Sequence, residues 1–308
     1  MTLIVSNPPH LKSKVDTPFL MKHVLIALLP TVVASIHFFG IRAAMLIANC
    51  ILSAMATERI ILLLRKKPLA MNDYSAIVTG LLLALTLPPS LPWYVASLGS
   101  IIGISIGKHI FGGLGANIFN PALIGRAFLM AAYPKMLTTF IKPSSVDAIS
   151  SATPLVLRKF SQVITPTSAL FFGKVSGSLG ETSAICLIIG GLYLLIRKVA
   201  GWRIPLSLLL TTTITSAIFF FLNPSWGSIW FHLFAGGLLL GAFFMATDPV
   251  TTPTTKRGRY IFGIGCGVLT MIIRYFSGLG EGVMYSILFM NALTPLINRY
   301  TKPRRFGT

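Results

Sequence analysis

A short polar stretch, Asp147 to Thr153, contains the residues whose types and spacing best fit a covalent modification. It resembles an acceptor motif written Asp-x-x-Ser/Thr-Gly-Ala-Thr, in which the last threonine hydroxyl becomes a phosphoester. Asp147, Ser150, Ala152 and Thr153 stand at the matching positions, and Ser151 stands where many such motifs carry glycine. The pattern therefore predicts Thr153 as the acceptor.

This motif is the one that flavin transferases modify, and the group that they attach is FMN. An ester between the FMN phosphate and Thr153 would tether the cofactor by its tail and leave the ring system free to dock elsewhere on the protein. A permanent tether keeps the effective concentration of the cofactor high at an exposed site. Arg158 and Lys159 follow closely and would offset the phosphodiester charge, although solubility of the loop explains them equally well.

The composition predicts a membrane protein. Of the 308 residues, 54% are hydrophobic and 11% are charged, whereas soluble domains carry about 25% charged residues. Apolar runs at 23–39, 43–64, 204–222 and 228–247 approach the roughly 20 residues that cross hydrocarbon as a helix. We therefore predict an all-α integral membrane protein.

The apolar pattern predicts about ten transmembrane helices, at 22–40, 42–64, 73–87, 92–111, 118–133, 183–197, 203–222, 228–247, 259–276 and 282–299. The chain then divides into an N-terminal segment 1–21, a first transmembrane half 22–133, a loop 134–182 with the attachment motif, a second half 183–299 and a tail 300–308.

The distribution of charge predicts the orientation in the membrane. The net charge is +19, but the lysines and arginines flank apolar runs and form no single basic face, which argues against nucleic acid as a partner. They concentrate in alternate short loops, and cytoplasmic loops carry such an excess. We therefore expect both termini in the cytoplasm and the 134–182 loop on the outer side.

The two halves resemble each other, and the predicted orientations of their spans are opposite. Gly80-Leu-Leu-Leu is similar to Gly237-Leu-Leu-Leu, Phe111-Gly-Gly-Leu-Gly is similar to Phe276-Ser-Gly-Leu-Gly, and Asn120-Pro121 corresponds to Asn291 with Pro295. This pattern is typical of two inverted five-helix repeats with broken helices. Breaks are predicted at Pro88-Pro89 and before the short fifth span.

Polar residues near these breaks are candidates for an ion path: Asp248, Asn120, Asn291 and Glu58. Broken helices at membrane depth are places where ions or substrates bind, and charged groups there are expensive to retain. Asp248 either lines an ion route or only ends a helix at an Asp-Pro turn. Glu58 either pairs with its neighbour Arg59 or faces a cavity.

Three further charged residues are predicted to have local roles. Arg126, on the short fifth span, should face the interior and either pair with a carboxylate or contact the flavin phosphate. Asp73 and Glu281 precede apolar runs and are predicted to cap helix starts.

The three cysteines have no CxxC or ferredoxin spacing, so we expect neither a metal centre nor an iron–sulfur cluster in this chain.

Several longer segments resemble one known family, that of RnfD and NqrB. These are membrane subunits of the Rnf (or Rsx) electron-transport complex and of the sodium-pumping NADH:quinone reductase. The similarity covers nearly the whole chain and is carried by Phe111–Ala122, Asp147–Leu155, Ala246–Thr251, Arg257–Gly263, Asn291–Ile297 and Tyr300–Arg304.

The resemblance implies a subunit of a complex that moves electrons between ferredoxin and NAD and translocates Na⁺ or H⁺. It implies one covalent FMN at Thr153, maturation by a flavin transferase and a place in the cell inner membrane. Partner subunits would carry a second covalent flavin, iron–sulfur clusters and the NAD site, because this chain has no dinucleotide fingerprint. The redox chemistry would belong to the flavin, so no residue here is predicted to be catalytic. A second, non-covalent flavin is left open.

Two other functions are consistent with the helix pattern if the attachment motif is set aside. One is a secondary transporter or channel, since inverted repeats and broken helices are typical of these proteins. The other is a scaffold subunit without a redox group. A flavin that stays on the denatured chain separates the first interpretation from both alternatives.

Overall fold

The computed structural model describes residues 16–67, 73–141, 143, 150–163, 165–173 and 175–302. Its helices and strands are, in chain order, α1 (Thr17–Phe39), α2 (Ile41–Leu64), α3 (Ser75–Leu85), α4 (Trp93–Ile104), α5 (Pro121–Ala132), α6 (Pro134–Thr138), β1 (Phe140–Ile141), β2 (Ser150–Ser151), α7 (Pro154–Ser161), α8 (Thr167–Phe172), α9 (Ala184–Ile196), α10 (Arg203–Leu222), α11 (Ile229–Phe234), α12 (Leu238–Leu240), α13 (Lys256–Phe276) and α14 (Val283–Tyr300). Asp147 and most of the predicted terminal segments lie outside the described residues.

The chain is a multi-pass membrane protein. Four of the described helices, α1, α2, α10 and α13, are long and apolar enough to cross a bilayer. Large apolar side chains on these helices are exposed, including Val33 (64%), Leu52 (65%) and Phe221 (83%), and lipid is the solvent that such surfaces require. Helix is present in each of the ten predicted spans. The number of crossings and the inverted repeat stay predictions.

Two of the predicted helix boundaries follow from local chemistry. α3 ends at Leu85, just before the Pro88-Pro89 pair, because proline cannot continue the hydrogen-bond ladder. α5 begins at Pro121, and the side chain of Asn120 accepts hydrogen bonds from the first free amides of the helix, Ala122 N at 3.0 Å and Leu123 N at 3.4 Å.

The predicted eighth span, 228–247, is not one helix. It consists of α11, a turn at 235–237, the short α12 and a π-helical segment, Gly241–Met245. The apolar run is continuous through this region, so apolar periodicity could not reveal the break. The two consecutive glycines, Gly236 and Gly237, are its local signal, and Gly236 has a φ of 71° that side chains with a Cβ rarely adopt.

Close helix contacts hold the bundle together. α1 packs against α9 and α10 packs against α13. A Cβ atom on Gly190 of α9 would overlap the carbonyl oxygen of Ala27 in α1. Small residues at such crossings let helix backbones approach in a membrane, where no hydrophobic effect drives helices together.

The described residues of the 134–182 interval include several regular elements. They contain α6, α7, α8 and a pair of short antiparallel strands with Phe140 opposite Ser151 and Ile141 opposite Ser150. The all-α prediction did not include this strand pair. The pair holds the Ser150-Ser151 part of the motif beside the end of the first half and leads directly into α7.

Candidate functional site

Thr153 is the N-cap of α7. Its hydroxyl oxygen accepts a hydrogen bond from Val156 N at 3.4 Å, and Pro154 occupies the first helical position. The side chain is half-buried, as is that of Ala152. A hydroxyl oxygen in this position satisfies one free amide of the helix, and the N-terminal end of a helix favours negative charge.

Thr153 opens onto a cavity of about 70 Å³, here called the Thr153 pocket. The charged residues of this pocket are Arg126 from α5, Glu181 from the segment before α9 and Glu281 from the segment before α14. Thr86, at the end of α3, also lines it. The attachment motif therefore lies against charged groups from both halves of the chain.

Arg126 pairs with a carboxylate, which is one of its two predicted roles. Its Nη2 atom lies 3.0 Å from Glu281 Oε2 and 3.7 Å from Glu181 Oε1. Contact between Arg126 and a flavin phosphate stays a prediction.

The prediction that Glu281 caps a helix start is wrong. Its carboxylate accepts a hydrogen bond from Gly237 N in the break of the eighth span, besides the one from Arg126. A Cβ on Gly237 would lie 2.7 Å from Glu281 Oε1, so the glycine leaves the room that the carboxylate occupies. Asp73 does cap α3, because its Oδ1 accepts from Ser75 N at 3.0 Å.

Glu181 is a functional candidate that sequence reasoning missed. It is buried, and Ser178 Oγ donates to its Oε1 atom at 3.0 Å. Burial and, to a smaller extent, the charge of Glu281 raise the pKa of Glu181 to about 8, although Arg126 opposes the shift. Glu181 follows a polar stretch with two glycines and precedes the apolar α9, so no periodicity marks it as buried.

A second cavity of about 70 Å³, the Asp248 pocket, lies at the other end of the bundle. Ser75 at the start of α3 and Pro121 at the start of α5 line the Asp248 pocket. Thr86 and Met130, at the opposite ends of these two helices, line the Thr153 pocket. Leu82 of α3 also lines the Asp248 pocket and Arg126 of α5 also lines the Thr153 pocket, so the two pockets lie along different parts of the same two helices.

Three of the four ion-path candidates converge on the Asp248 pocket. Asp248 and Asn120 line it directly. Asn291 lies behind it, and its Oδ1 atom accepts from Asn120 N at 3.4 Å. Asn120 also donates through Nδ2 to Met245 O at 3.3 Å, and Asn291 donates to Thr251 O at 3.1 Å. The two asparagines predicted to be repeat mates are thus in contact.

Glu58 does not pair with Arg59, so that alternative is wrong. Its carboxylate binds Lys108 Nζ, and His109 Nε2 lies 3.8 Å away. Lys108 is only 2% exposed and also donates to Ser75 Oγ at 2.5 Å. Since Lys108 lines the Asp248 pocket, it connects Glu58 to that pocket. The sequence analysis did not identify Lys108 as the partner of Glu58.

The helical segment before Asp248 ends at Met245 with Ala246 as its C-cap, and Asp248 lies in the turn that follows. Its carboxylate accepts from Val250 N at 3.2 Å and from Thr251 Oγ1 at 3.4 Å. None of the ion pairs in the described part of the chain involves Asp248. The carboxylate therefore has polar neighbours from its own turn and lies at a cavity, which leaves its part in an ion route a prediction.

Known proteins resemble this chain over nearly its whole length. The model of the NQR2, RnfD, RnfE family matches residues 4–307. The D subunit of the Na⁺-translocating ferredoxin:NAD⁺ oxidoreductase complex of Acetobacterium woodii is 46% identical, over 100% of this chain and 96% of the relative. The D subunit of the proton-translocating ferredoxin:NAD⁺ oxidoreductase complex of Clostridium ljungdahlii is 45% identical, over 99% and 96%.

A third relative has a less specific name. The D subunit of the ion-translocating oxidoreductase complex of Stutzerimonas stutzeri is 40% identical, over 96% of this chain and 93% of the relative. Similarity at this level, from end to end of the helical bundle, establishes the family. The chain belongs to the NQR2, RnfD, RnfE family.

Proposed function

We propose that this chain is the membrane subunit of an ion-translocating ferredoxin:NAD oxidoreductase complex, and that Thr153 carries FMN as a phosphoester. The relatives named above are the D subunits of such complexes, and they match this chain over nearly its full length. The position of Thr153 is the observation that carries the flavin part of the proposal. Its hydroxyl lies at a helix N-terminus and at the mouth of a charged cavity.

The residues around Thr153 fit a phosphodiester. The N-terminal amides of α7 favour an anion at this position, and Arg126 supplies a guanidinium group to the same pocket. When bound, FMN would supply one- and two-electron transfer. The chain would hold the phosphate with Thr153 and α7, and it would keep Glu181 and Glu281 balanced against Arg126 beside it.

The ion path would involve the opposite end of the bundle. Asp248 and Asn120 line a cavity there, Asn291 braces Asn120, and Lys108 ties Glu58 to the same cavity. Oxygen-bearing side chains at broken helices are suited to cations that lose part of their water. The relatives named for Na⁺ and for protons are almost equally similar to this chain, so either ion fits the proposal.

The partners would be the other subunits of the complex: one with a second covalent flavin, and those with iron–sulfur clusters and the NAD site. A flavin transferase would attach the FMN. The chain would lie in the cell inner membrane with both termini in the cytoplasm and Thr153 on the outer side.

Fluorescence of the denatured chain in a gel tests the attachment. The chain is expressed with a flavin transferase, and the wild type is expected to keep a fluorescent flavin through denaturation. Thr153→Asn is expected to lose it, because asparagine lacks the hydroxyl but is an equally good N-cap and so preserves α7. Thr153→Ser should retain flavin.

Thr139→Ala is the matched control, because Thr139 is an exposed threonine of the same interval. Its fluorescence should equal that of the wild type. A wild-type chain without fluorescence, or a fluorescent Thr153→Asn chain, would show that the flavin assignment is wrong.

A further inference from the structure

A third cavity lies beside the Thr153 pocket and is larger, with a volume of about 240 Å³. We call it the Trp226 cavity. One side is lined by Arg158 and Lys159 of α7 and by Gln162, the C-cap of α7. The other side is lined by Trp226, Phe231, His232, Arg274 and Tyr275. Leu155 and Gly280 line both this cavity and the Thr153 pocket. The helix that begins at Thr153 therefore forms a wall of the Trp226 cavity.

Buried polar atoms around this cavity lack partners. Within the described residues, His232 Nδ1, Arg274 Nε and Tyr275 Oη are buried and have no hydrogen-bond partner. His232 and Arg274 are each only 4% exposed. An unsatisfied buried polar atom costs about 1–3 kcal/mol, so several around one cavity indicate that a ligand supplies their hydrogen bonds.

The hydrogen-bonding roles of these atoms define the ligand. His232 Nε2 lies 2.8 Å from Trp226 O, and since a carbonyl only accepts, Nε2 carries the proton. Nδ1 of the neutral ring is then an acceptor. Arg274 Nε is a donor, and its two Nη atoms are already bound to His232 O at 2.6 Å and Ala235 O at 2.9 Å. A ligand that fits must present a donor next to an acceptor.

The side of the cavity opposite α7 is rich in aromatic residues. The rings of Trp226 and Tyr275 have centroids 5.0 Å apart, and those of His232 and Tyr275 have centroids 5.1 Å apart. Phe219 stacks on Trp226 from behind with its ring centroid at 4.9 Å, which holds the indole in place. Aromatic walls of this kind suit a planar, aromatic ligand.

We propose that the Trp226 cavity is the docking site for the isoalloxazine ring of the flavin tethered at Thr153. This inference rests on the proposed attachment. The imide edge of isoalloxazine has an N–H between two carbonyl groups. The N–H would donate to His232 Nδ1, and the carbonyls would accept from Arg274 Nε and Tyr275 Oη.

A lipid phosphate fits these atoms less well. An ionised phosphodiester has acceptors only, and it leaves His232 Nδ1 without a donor. Of the two neighbouring cavities the Trp226 cavity has the larger volume, about 240 Å³ against about 70 Å³ for the Thr153 pocket. The ribityl phosphate chain would run along α7, which rises about 1.5 Å per residue from Thr153 towards Arg158.

Lys159 fixes the wall of the cavity formed by α7. Its ammonium group donates to Arg274 O at 2.9 Å, to Leu279 O at 3.0 Å and to Ser277 O. Arg274 is in the last turn of α13 and Ser277 is its C-cap, and a cation at this end of a helix is favoured by the helix dipole. Lys159 is thus a positioning residue that clamps the attachment helix to the second half of the chain.

Flavin spectra of the native, flavinylated chain test the docking. The ring is expected to show quenched fluorescence and induced visible circular dichroism, because it lies against Trp226 and Tyr275. Tyr275→Phe removes only an unpartnered hydroxyl, and His232→Leu removes the acceptor. Each should reduce the circular dichroism, and His232→Leu should raise native fluorescence several-fold. Fluorescence after denaturation should not change, since attachment is intact.

Trp230→Leu is the control, because Trp230 is near the cavity but 61% exposed and does not line it. Its flavin spectra should match the wild type. Unchanged spectra in both cavity variants would overturn the docking and leave the attachment standing. A wild-type chain with no flavin after denaturation would overturn both proposals. Loss of co-purified anionic phospholipid in Tyr275→Phe with unchanged flavin spectra would assign the cavity to a lipid headgroup instead.

Discussion

Arg126 and Glu281 form an ion pair between the two halves of the chain, with Nη2 and Oε2 at 3.0 Å. Arg126 is on α5 of the first half and Glu281 precedes α14 of the second. Glu281 also accepts a hydrogen bond from the amide of Gly237, which lies in the break of the eighth span. One carboxylate thereby ties together three elements next to the attachment motif.

Removing one partner of the Arg126–Glu281 ion pair should destabilise the protein. Removing one partner of a buried pair costs about 3–5 kcal/mol, and since the side chains of Arg126 and Glu281 are 16% and 18% exposed, we expect Arg126→Met to fall near the lower bound. Melting in detergent with a thiol-reactive dye measures this, because Cys50 and Cys266 are 0% exposed until the chain unfolds. Arg126→Met/Glu281→Gln should recover part of the loss. Equal melting of the single and double variants would contradict a direct coupling.

The buried Glu181 should make stability depend on pH. Burial and the charge of Glu281 raise its pKa to about 8, above the value of about 4.3 for an exposed glutamate. At a pH below both pKa values, the Glu181 carboxyl is protonated in the folded and in the unfolded state, and its contribution to stability is fully present. Between them only the unfolded state ionises, so stability falls as pH rises from about 4.3 to about 8.

Glu181→Gln should remove this dependence. The variant is expected to melt higher than the wild type at pH 8 and nearly equally at pH 5, in the same dye assay. Ser178→Ala, which removes the hydroxyl that donates to Glu181 at 3.0 Å, is a control that should keep the fall in stability with pH. A wild type whose melting temperature rises between pH 5 and 8 relative to Glu181→Gln would count against the raised pKa.

The Glu58–Lys108 pair should be strongly coupled. The two side chains are 6% and 2% exposed, so Lys108→Met leaves a buried carboxylate with His109 as its remaining basic neighbour. We expect a loss of about 3–5 kcal/mol and a partial recovery in Glu58→Gln/Lys108→Met. Arg59→Met is the control, because Arg59 is exposed and forms no described ion pair with Glu58. A larger loss in Arg59→Met than in Lys108→Met would contradict the observed pairing.

The predicted orientation of the chain can be tested with single cysteines. Ser161 at the end of α7 and Lys67 after α2 are both exposed, and the orientation places them on opposite sides of the membrane. In a chain without its native cysteines, a membrane-impermeant maleimide added outside should label Ser161→Cys and not Lys67→Cys. The reverse labelling would place Thr153 in the cytoplasm and contradict the predicted topology.

Sequence patterns predicted the elements that have local signals. Apolar length identified α1, α2, α10 and α13, and the proline pair at 88–89 and the Asn120-Pro121 pair marked two real helix boundaries. They also placed Asn120 and Asn291 in corresponding positions, and the two residues touch. Each of these features depends on neighbouring residues or on a repeated motif.

Long-range pairings had no such signal. Pairing with the sequence neighbour Arg59 was one of two alternatives for Glu58, but its partner Lys108 is 50 positions away. Glu281 was assigned to its own helix start, although Arg126 is 155 positions away. The break at 235–237 lies within a continuously apolar run. Which charge meets which across a bundle depends on helix packing, and a single sequence does not contain that information.

Asp248→Asn should reduce ion coupling and spare flavin attachment. An asparagine side-chain oxygen can still accept from Val250 N, as Asp248 does at 3.2 Å, so the helix-ending turn is expected to persist while the charge at the pocket is lost. Asp248 lines the cavity at the far end of α3 and α5 from Thr153, which leaves the attachment motif untouched. A carboxylate kept beside hydrocarbon carries a desolvation cost, and this suggests a use for it. In sealed vesicles with the assembled complex, ion uptake per electron should fall several-fold while covalent flavin stays at the wild-type level.

Asp73→Asn is the matched control, because Asp73 caps α3 near the same end without lining the pocket. If Asp248→Asn pumps as well as Asp73→Asn, then Asp248 only ends a helix, and the ion route must be sought at Asn120 and Asn291.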